Sequence, residues 1–201
     1  MSATVSETNP DAVRGDTSNR ILEAAFRCAA DLGLGRTTME DVARAASVSR
    51  QTVYRYFPSK DRLVMALVQR EEERFLDGVR AAFATHDRLE DALYDGVLFC
   101  LRFAREHPLL DRLLASDPEA LLPYLTTKAM PTLVRARDTV ASLIRSKEWV
   151  SAALVESAAD LLVRLAVSYA VTPPDQPAGD MARDLARIVT AALTRKETTH
   201  R

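Results

Sequence analysis

Residues 37–60, TTMEDVARAASVSRQTVYRYFPSK, leave this chain few ways to fold. Met39, Val42, Ala43 and Ala46 recur at helical spacing and make one buried face. Two overlapping capping boxes precede that face, Thr37 with Glu40 and Thr38 with Asp41, and either threonine can serve as the cap. The helix has only about two to three turns, too few to be stable alone in water, so it has to pack on neighbours. Ala45, Ala46 and Ser47 are small and let the next helix cross closely. Ser49 restarts a helix as N-cap. Val53 and Phe57, at i and i+4, then turn inward and leave Arg50, Gln51, Tyr54 and Arg55 on the other side. Pro58 ends the segment, because the residue before a proline disfavours the α conformation. Ser59 caps the helix that follows, with Lys60 and Arg62 in its first turn.

This order is the layout of a helix-turn-helix, whose second helix enters the DNA major groove. The side chains suit that target. Arginine can bond guanine O6 and N7 in a bidentate way, and glutamine can do the same to adenine N6 and N7. Threonine and tyrosine hydroxyls, Lys60 and the amides of a helix N-terminus suit phosphate oxygens. The net charge of −1 looks unfavourable for a polyanion. Between Arg36 and Arg62, however, six basic residues face three acidic ones, a local +3, so the remainder carries −4. A local basic patch is what phosphate binding requires, and the total is a poor guide to it.

Over these residues the chain resembles the TetR family of transcriptional regulators. The resemblance begins at Ile21-Leu22-Glu23-Ala24-Ala25, continues through Gly33, and takes in Thr37–Ala43, Val48-Ser49 and Thr52–Leu63, roughly the first third of the chain. Two positions depart from the family pattern. Ser47 stands where the turn usually has glycine and must tolerate a less comfortable backbone. Ala29 replaces a common aromatic, with Phe26 one turn earlier to fill the space. The resemblance implies that Arg50, Gln51 and Arg55 reach bases, and that Thr38, Thr52, Tyr54, Tyr56 and Lys60 contact the DNA backbone, with Tyr56 also a candidate for the core.

The chain has 201 residues, 47% hydrophobic and 27% charged, an ordinary globular composition with room for a sizeable core. Cys28 and Cys100 lie in expected helices without metal or redox spacing and read as two buried thiols. His86, His107 and His200 have no metal-ligand spacing, and no phosphate loop or nucleophile motif occurs, so neither metal, cofactor nor enzyme activity is expected. Residues 1–16 are polar, contain Pro10 and Gly15, and are expected to form a disordered arm rather than a signal segment. No run approaches the roughly 20 apolar residues of a membrane span. The expected location is the cytoplasm, with no membrane partner.

Few glycines and repeated helical periodicity make an all-α fold of about nine or ten helices the expectation. Its parts are the arm, a helix-turn-helix domain at 17–62, and a C-terminal helical ligand-binding and dimerisation domain at 63–201. The first helix should run from Thr17 or Ser18 to Leu32, with Gly33 ending it and Ile21, Ala24, Ala25 and Cys28 as its inner stripe. A long helix should follow Ser59 to about Ala84, a rigid joint carrying Leu63, Leu67, Phe75, Val79 and Phe83, interrupted by Glu71. Further helices are expected at 89–106, 108–116 and 118–126, then, after interruptions at Pro123 and Pro131, one reaching about 147, and a final pair at 150–171 and 180–196. The first of the final pair is apolar over much of its circumference and has to be covered on more than one side.

Such a pair can be buried within one chain or form a four-helix interface between two copies. The family resemblance favours the homodimer, with Leu161, Leu165, Leu185, Ile188, Val189 and Ala192 in the interface and two recognition helices on a roughly palindromic operator. By the same analogy the middle helices bind a small-molecule effector. Leu98, Phe99, Phe103, Leu121, Tyr124, Trp149 and Tyr169 are candidate lining residues, with Cys100, His107 or Glu71 as polar handles. The expectation is a ligand-responsive regulator, a repressor released from double-stranded DNA by a largely apolar effector. A DNA-binding regulator without such an effector, or a helical carrier or enzyme with an N-terminal interaction module, are the competing readings.

Overall fold

The computed structural model describes residues 10–116, 118–119, 129–147 and 150–194. Among them are nine α-helices and no strand: α1 Pro10–Leu32, α2 Met39–Ala45, α3 Arg50–Tyr56, α4 Lys60–Ala84, α5 Leu89–Glu106, α6 Pro108–Ser116, α7 Met130–Arg145, α8 Ala152–Val171 and α9 Ala178–Leu193. The fold is all-α. The chain divides into two compact units, Met1–Arg70 and Glu71–Arg201, and the division falls inside α4.

α1 begins earlier than expected. It starts at Pro10 rather than Thr17, so the end of the stretch read as a disordered arm is helical. Proline suits a first helical position because the N–H it lacks would have no partner there. Gly15 costs only about 1 kcal/mol relative to alanine, too little to stop a helix that continues into a packed segment.

In the first unit, Ile21, Leu22, Ala24, Ala25 and Ala29 of α1 are buried, while Cys28 is half-buried. α1 packs on α2, and α2 on α3. Met39, Val42, Ala43 and Ala46, then Val53 and Phe57, supply the facing apolar surface, and Leu63 and Leu67 are buried with 3% and 2% exposure. Gly33 closes α1 in the left-handed region at φ 88°, with its N–H on the Ala29 carbonyl.

In the second unit, Leu76, Val79 and Phe83 of α4 join Leu89, Ala92, Leu93, Ala141, Ile144, Val155, Ala159, Leu162, Ala186 and Leu193 in burial. Leu76 is not among the apolar residues expected to be buried along α4, and Phe75, which is, is only half-buried. α9 lies along α5, and α7 along α8, while α8 also meets α5 and α9. Two helical glycines provide notches for rings. A Cβ at Gly78 would lie 2.1 Å from Cζ of Phe99, and one at Gly96 would lie 2.5 Å from Cε2 of Phe83.

Polar ties run along the start of α4 in this unit. Thr132 donates to Glu72 at 3.2 Å, Arg135 pairs with Glu72 at 3.3 Å and with Glu73 at 2.6 Å, and Arg80 reaches Glu73 at 2.9 Å. Glu71 meets His107, with Oε2 and Nε2 3.4 Å apart. His107 Nδ1 accepts from the Leu110 amide at 3.3 Å, so Nε2 is the donor toward Glu71. Cys28 and Cys100 are both free thiols. Burial pushes the Cys100 thiol up to about 12; burial, then the charge of Asp41, raises Cys28. Both are therefore protonated small hydrophobes rather than thiolates.

α8 buries Val155, Ala159, Leu162 and Val163 and leaves Leu154 and Leu161 open, Leu161 at 60% exposure. On α9, Ala182, Ala186 and Leu193 are buried, while Ile188 is 64% exposed and Ala192 is exposed. Leu165, Leu185 and Val189 are half-buried.

Candidate nucleic-acid interface

Thr38, not Thr37, caps α2. Its hydroxyl accepts from the Asp41 amide at 3.1 Å and donates to the Asp41 carboxylate at 2.6 Å, and that carboxylate also accepts from the Thr38 amide at 3.1 Å. Hydrogen bonds from the Thr38 hydroxyl, then from its amide, hold the Asp41 carboxyl below its usual range. Thr37 is buried, and its hydroxyl donates to the Gly33 carbonyl at 2.9 Å. The sequence allowed either threonine; burial decides between them.

The turn between α2 and α3 is a Schellman motif. The Ser47 amide donates to Arg44 O at 3.1 Å and the Val48 amide to Ala43 O at 3.0 Å. Ser47 occupies the position that requires a left-handed backbone, at φ 55°. Two α1 arginines cover further carbonyls here, Arg20 on Ala46 O at 3.0 Å and Arg27 on Ala45 O at 3.3 Å. Sequence reasoning missed both, because they belong to another helix and match no motif.

Ser49 caps α3 by accepting from the Thr52 amide at 3.0 Å, and the two hydroxyls are 2.9 Å apart. Val53 is fully buried, so the helix presents the opposite side outward. Arg50, Gln51, Tyr54 and Arg55 are exposed there, and Thr52 and Tyr56 are half-buried. The Arg50 guanidinium lies 5.5 Å from the Tyr54 ring centre, and that of Arg55 lies 5.5 Å from the ring of Tyr56. At the start of α4, Ser59 accepts from the Arg62 amide at 3.2 Å, and Lys60 Nζ donates to Gly35 O at 2.7 Å.

In the second unit, Phe75, Phe99 and Phe103 form a cluster with ring centres 5.0–5.8 Å apart, and His107 lies 4.6 Å from Phe103. Leu98 and Tyr169 are half-buried on α5 and α8. Leu121, Tyr124 and Trp149, and most of the helix expected at 118–126, lie outside the described residues. Phe75, expected only as part of the apolar stripe of α4, is a member of this cluster. Among the described residues, no group of three or more His, Cys, Asp or Glu could hold a metal ion, and no helix is long and apolar enough to cross a membrane.

A capped short helix, a Schellman turn and a second capped helix with arginine, glutamine and tyrosine outward define a helix-turn-helix DNA-binding protein. The comparisons agree. The family model for bacterial regulatory proteins of the tetR family matches residues 21–67, and that for the bacterial tetracyclin repressor C-terminal domain matches residues 88–191. This chain belongs to the TetR family and is a DNA-binding transcriptional regulator.

It is 34% identical over 160 residues to the HTH-type transcriptional regulator AlkX of Mycobacterium tuberculosis, an alignment covering 76% of this chain and 74% of the relative. Among solved structures it is similar to the TetR family repressor AlkX from Dietzia sp. strain DQ12-45-1b, a protein implicated in biodegradation of n-alkanes. That match has a TM-score of 0.71 and 26% identity and covers 86% of this chain and 95% of the other. The fatty acid degradation regulator FadR from Bacillus halodurans shares the fold, with a TM-score of 0.62 at 19% identity over 97% of this chain and all of the other.

Proposed function

We propose that this protein is a homodimeric repressor that binds a roughly palindromic operator and is released by a small, largely apolar effector. The observation that carries the DNA-reading part is α3, with Val53 buried and Arg50, Gln51, Tyr54 and Arg55 all outward. Arg50, Gln51 and Arg55 read base edges, and Thr52, Tyr56 and Lys60, with the Tyr54 hydroxyl, face the phosphates. Thr38 reaches the backbone only by sharing a hydroxyl already bonded to Asp41.

The dimer reading rests on the apolar side that α8 and α9 leave open at Leu154, Leu161 and Ile188. Such a surface, with both helices antiparallel neighbours of a copy, suits a twofold four-helix interface. An apolar effector is favoured by the cluster of Phe75, Phe99 and Phe103, with His107 and Glu71 as its polar end. The Dietzia relative, a repressor implicated in n-alkane biodegradation, points the same way. The effector acts by binding better to the conformation that fits DNA less well.

Selection of bound DNA from a random pool tests this, followed by retardation of the selected sequence with and without aliphatic compounds. A two-half-site sequence released by such a compound is the expected result. Binding that no compound alters sinks the effector arm, and recovery of single half-sites sinks the dimer.

A further inference from the structure

We propose that Tyr54 is a positioning residue for sequence reading, holding the Arg50 guanidinium over its ring so that Arg50 meets its base already oriented. This rests on the reading of α3 as the DNA-contacting helix. Arg50 and Tyr54 are at i and i+4, which puts them on one face of α3. Helical side chains lean toward the N-terminus, and this brings the Tyr54 ring back beneath Arg50. The separation of 5.5 Å from guanidinium carbon to ring centre is within cation–π reach.

Tyr54 follows Val53, whose complete burial fixes the rotation of α3 and so the face on which Arg50 and Tyr54 stand. An exposed arginine otherwise samples many rotamers, and all but one set must be given up to make a bidentate contact with guanine. A ring beneath the guanidinium restricts those rotamers before DNA arrives. Arg55 has its own ring at the same 5.5 Å, but Tyr56 is the adjacent residue, so α3 carries two arginine–tyrosine pairs of different geometry. The role assigned to Tyr54 differs from a phosphate contact through its hydroxyl. A phosphate contact strengthens every sequence alike, whereas positioning of Arg50 strengthens only the sequence Arg50 reads.

The test uses the full-length protein. An operator is selected with the wild type, and affinities for it and for every single-base variant are measured for wild type, Arg50→Ala, Tyr54→Phe, Tyr54→Leu and Arg50→Ala/Tyr54→Leu. Circular dichroism checks that each is folded. Arg50→Ala identifies the base pair at which preference is lost. Tyr54→Leu is expected to lower discrimination at that same base pair about two- to five-fold, the range of an exposed cation–π pair. Tyr54→Phe, which keeps the ring, should retain most of it. The double variant should discriminate no worse there than Arg50→Ala alone.

Equal weakening of all sequences by Tyr54→Leu overturns the inference, as does a Tyr54→Phe loss as large as that of Tyr54→Leu. An Arg50→Ala variant with unchanged preference everywhere also overturns it while leaving the protein a DNA reader. A wild type that selects no sequence overturns the DNA reading of α3 itself, and the inference with it.

Discussion

The ammonium of Lys60 donates to the carbonyl oxygen of Gly35 at 2.7 Å and fastens the first turn of α4 to the loop leading into α2. Lysine has three donors, so this tie leaves two for a phosphate. Lys60→Ala is expected to weaken binding to every DNA sequence and to lower the salt dependence, log K against log salt, by about 0.9. It should also reduce thermal stability through the lost tie. Fluorescence anisotropy over a salt series measures the first effect. An unchanged slope would leave Lys60 as a structural tie alone.

The capping box gives a prediction with a pH sign. Thr38→Ala is expected to cost about 1 kcal/mol of stability at neutral pH. The Asp41 carboxyl is held below its ordinary value by bonds from Thr38, so its contribution is present above the unfolded value, about 4, and is lost as pH falls through the lower folded value. The gap between wild type and Thr38→Ala should therefore narrow on going from pH 7 into that acid range. Urea titrations at the two pH values check this, and an identical gap at both would refute the role of the ionised carboxylate.

Ser47 holds a left-handed backbone at φ 55° in the Schellman turn, a conformation a side chain makes costly. Ser47→Gly is expected to stabilise the protein by about 0.5–1 kcal/mol, the lost strain partly offset by the greater freedom of glycine when unfolded. Ser47→Val should destabilise it, since β-branched residues tolerate this region least. Thermal melts of the two variants should move in opposite directions.

Much of this was legible in the sequence, and the failures have physical causes. α5 and α6 fall at Leu89–Glu106 and Pro108–Ser116 as expected, because Pro108 punctuates them: a proline is tolerated in the first turn of a helix and not in its interior. The start of α1 was not legible, because polar residues before the inner stripe carry no periodicity. Thr37 and Thr38 were equivalent on paper, since a capping box is a local pattern and burial is a tertiary outcome. On α3 the sequence shows arginines and tyrosines but not their rotamers, so it does not reveal that Arg50 lies over Tyr54 and Arg55 over Tyr56. Phe75 escaped the candidate effector region for a related reason: it meets Phe99 and Phe103 across two helices, and no spacing along one helix encodes that.

Leu161 and Ile188 test the assembly. Both are more than half exposed in the single chain, so charged substitutions there should leave the fold intact. Leu161→Glu and Ile188→Glu are expected to shift sedimentation velocity from dimer to monomer and to reduce operator affinity at least 10-fold, by loss of the second recognition helix, on the order of 1.4 kcal/mol or more. A variant that still sediments as a dimer would place the interface elsewhere.

Gly78 lies against Phe99, and Gly96 against Phe83, each ring filling the space where a side chain would begin. The consequence concerns how such a sequence can diverge. A methyl group added at either glycine meets a ring carbon well inside van der Waals contact, while a smaller side chain at either phenylalanine leaves a void. Each change alone is a step down in fitness, whereas the two made together restore the fill. These four positions should therefore drift as two linked pairs among descendants of this chain, and a relative with alanine at the first notch should carry a smaller residue opposite it.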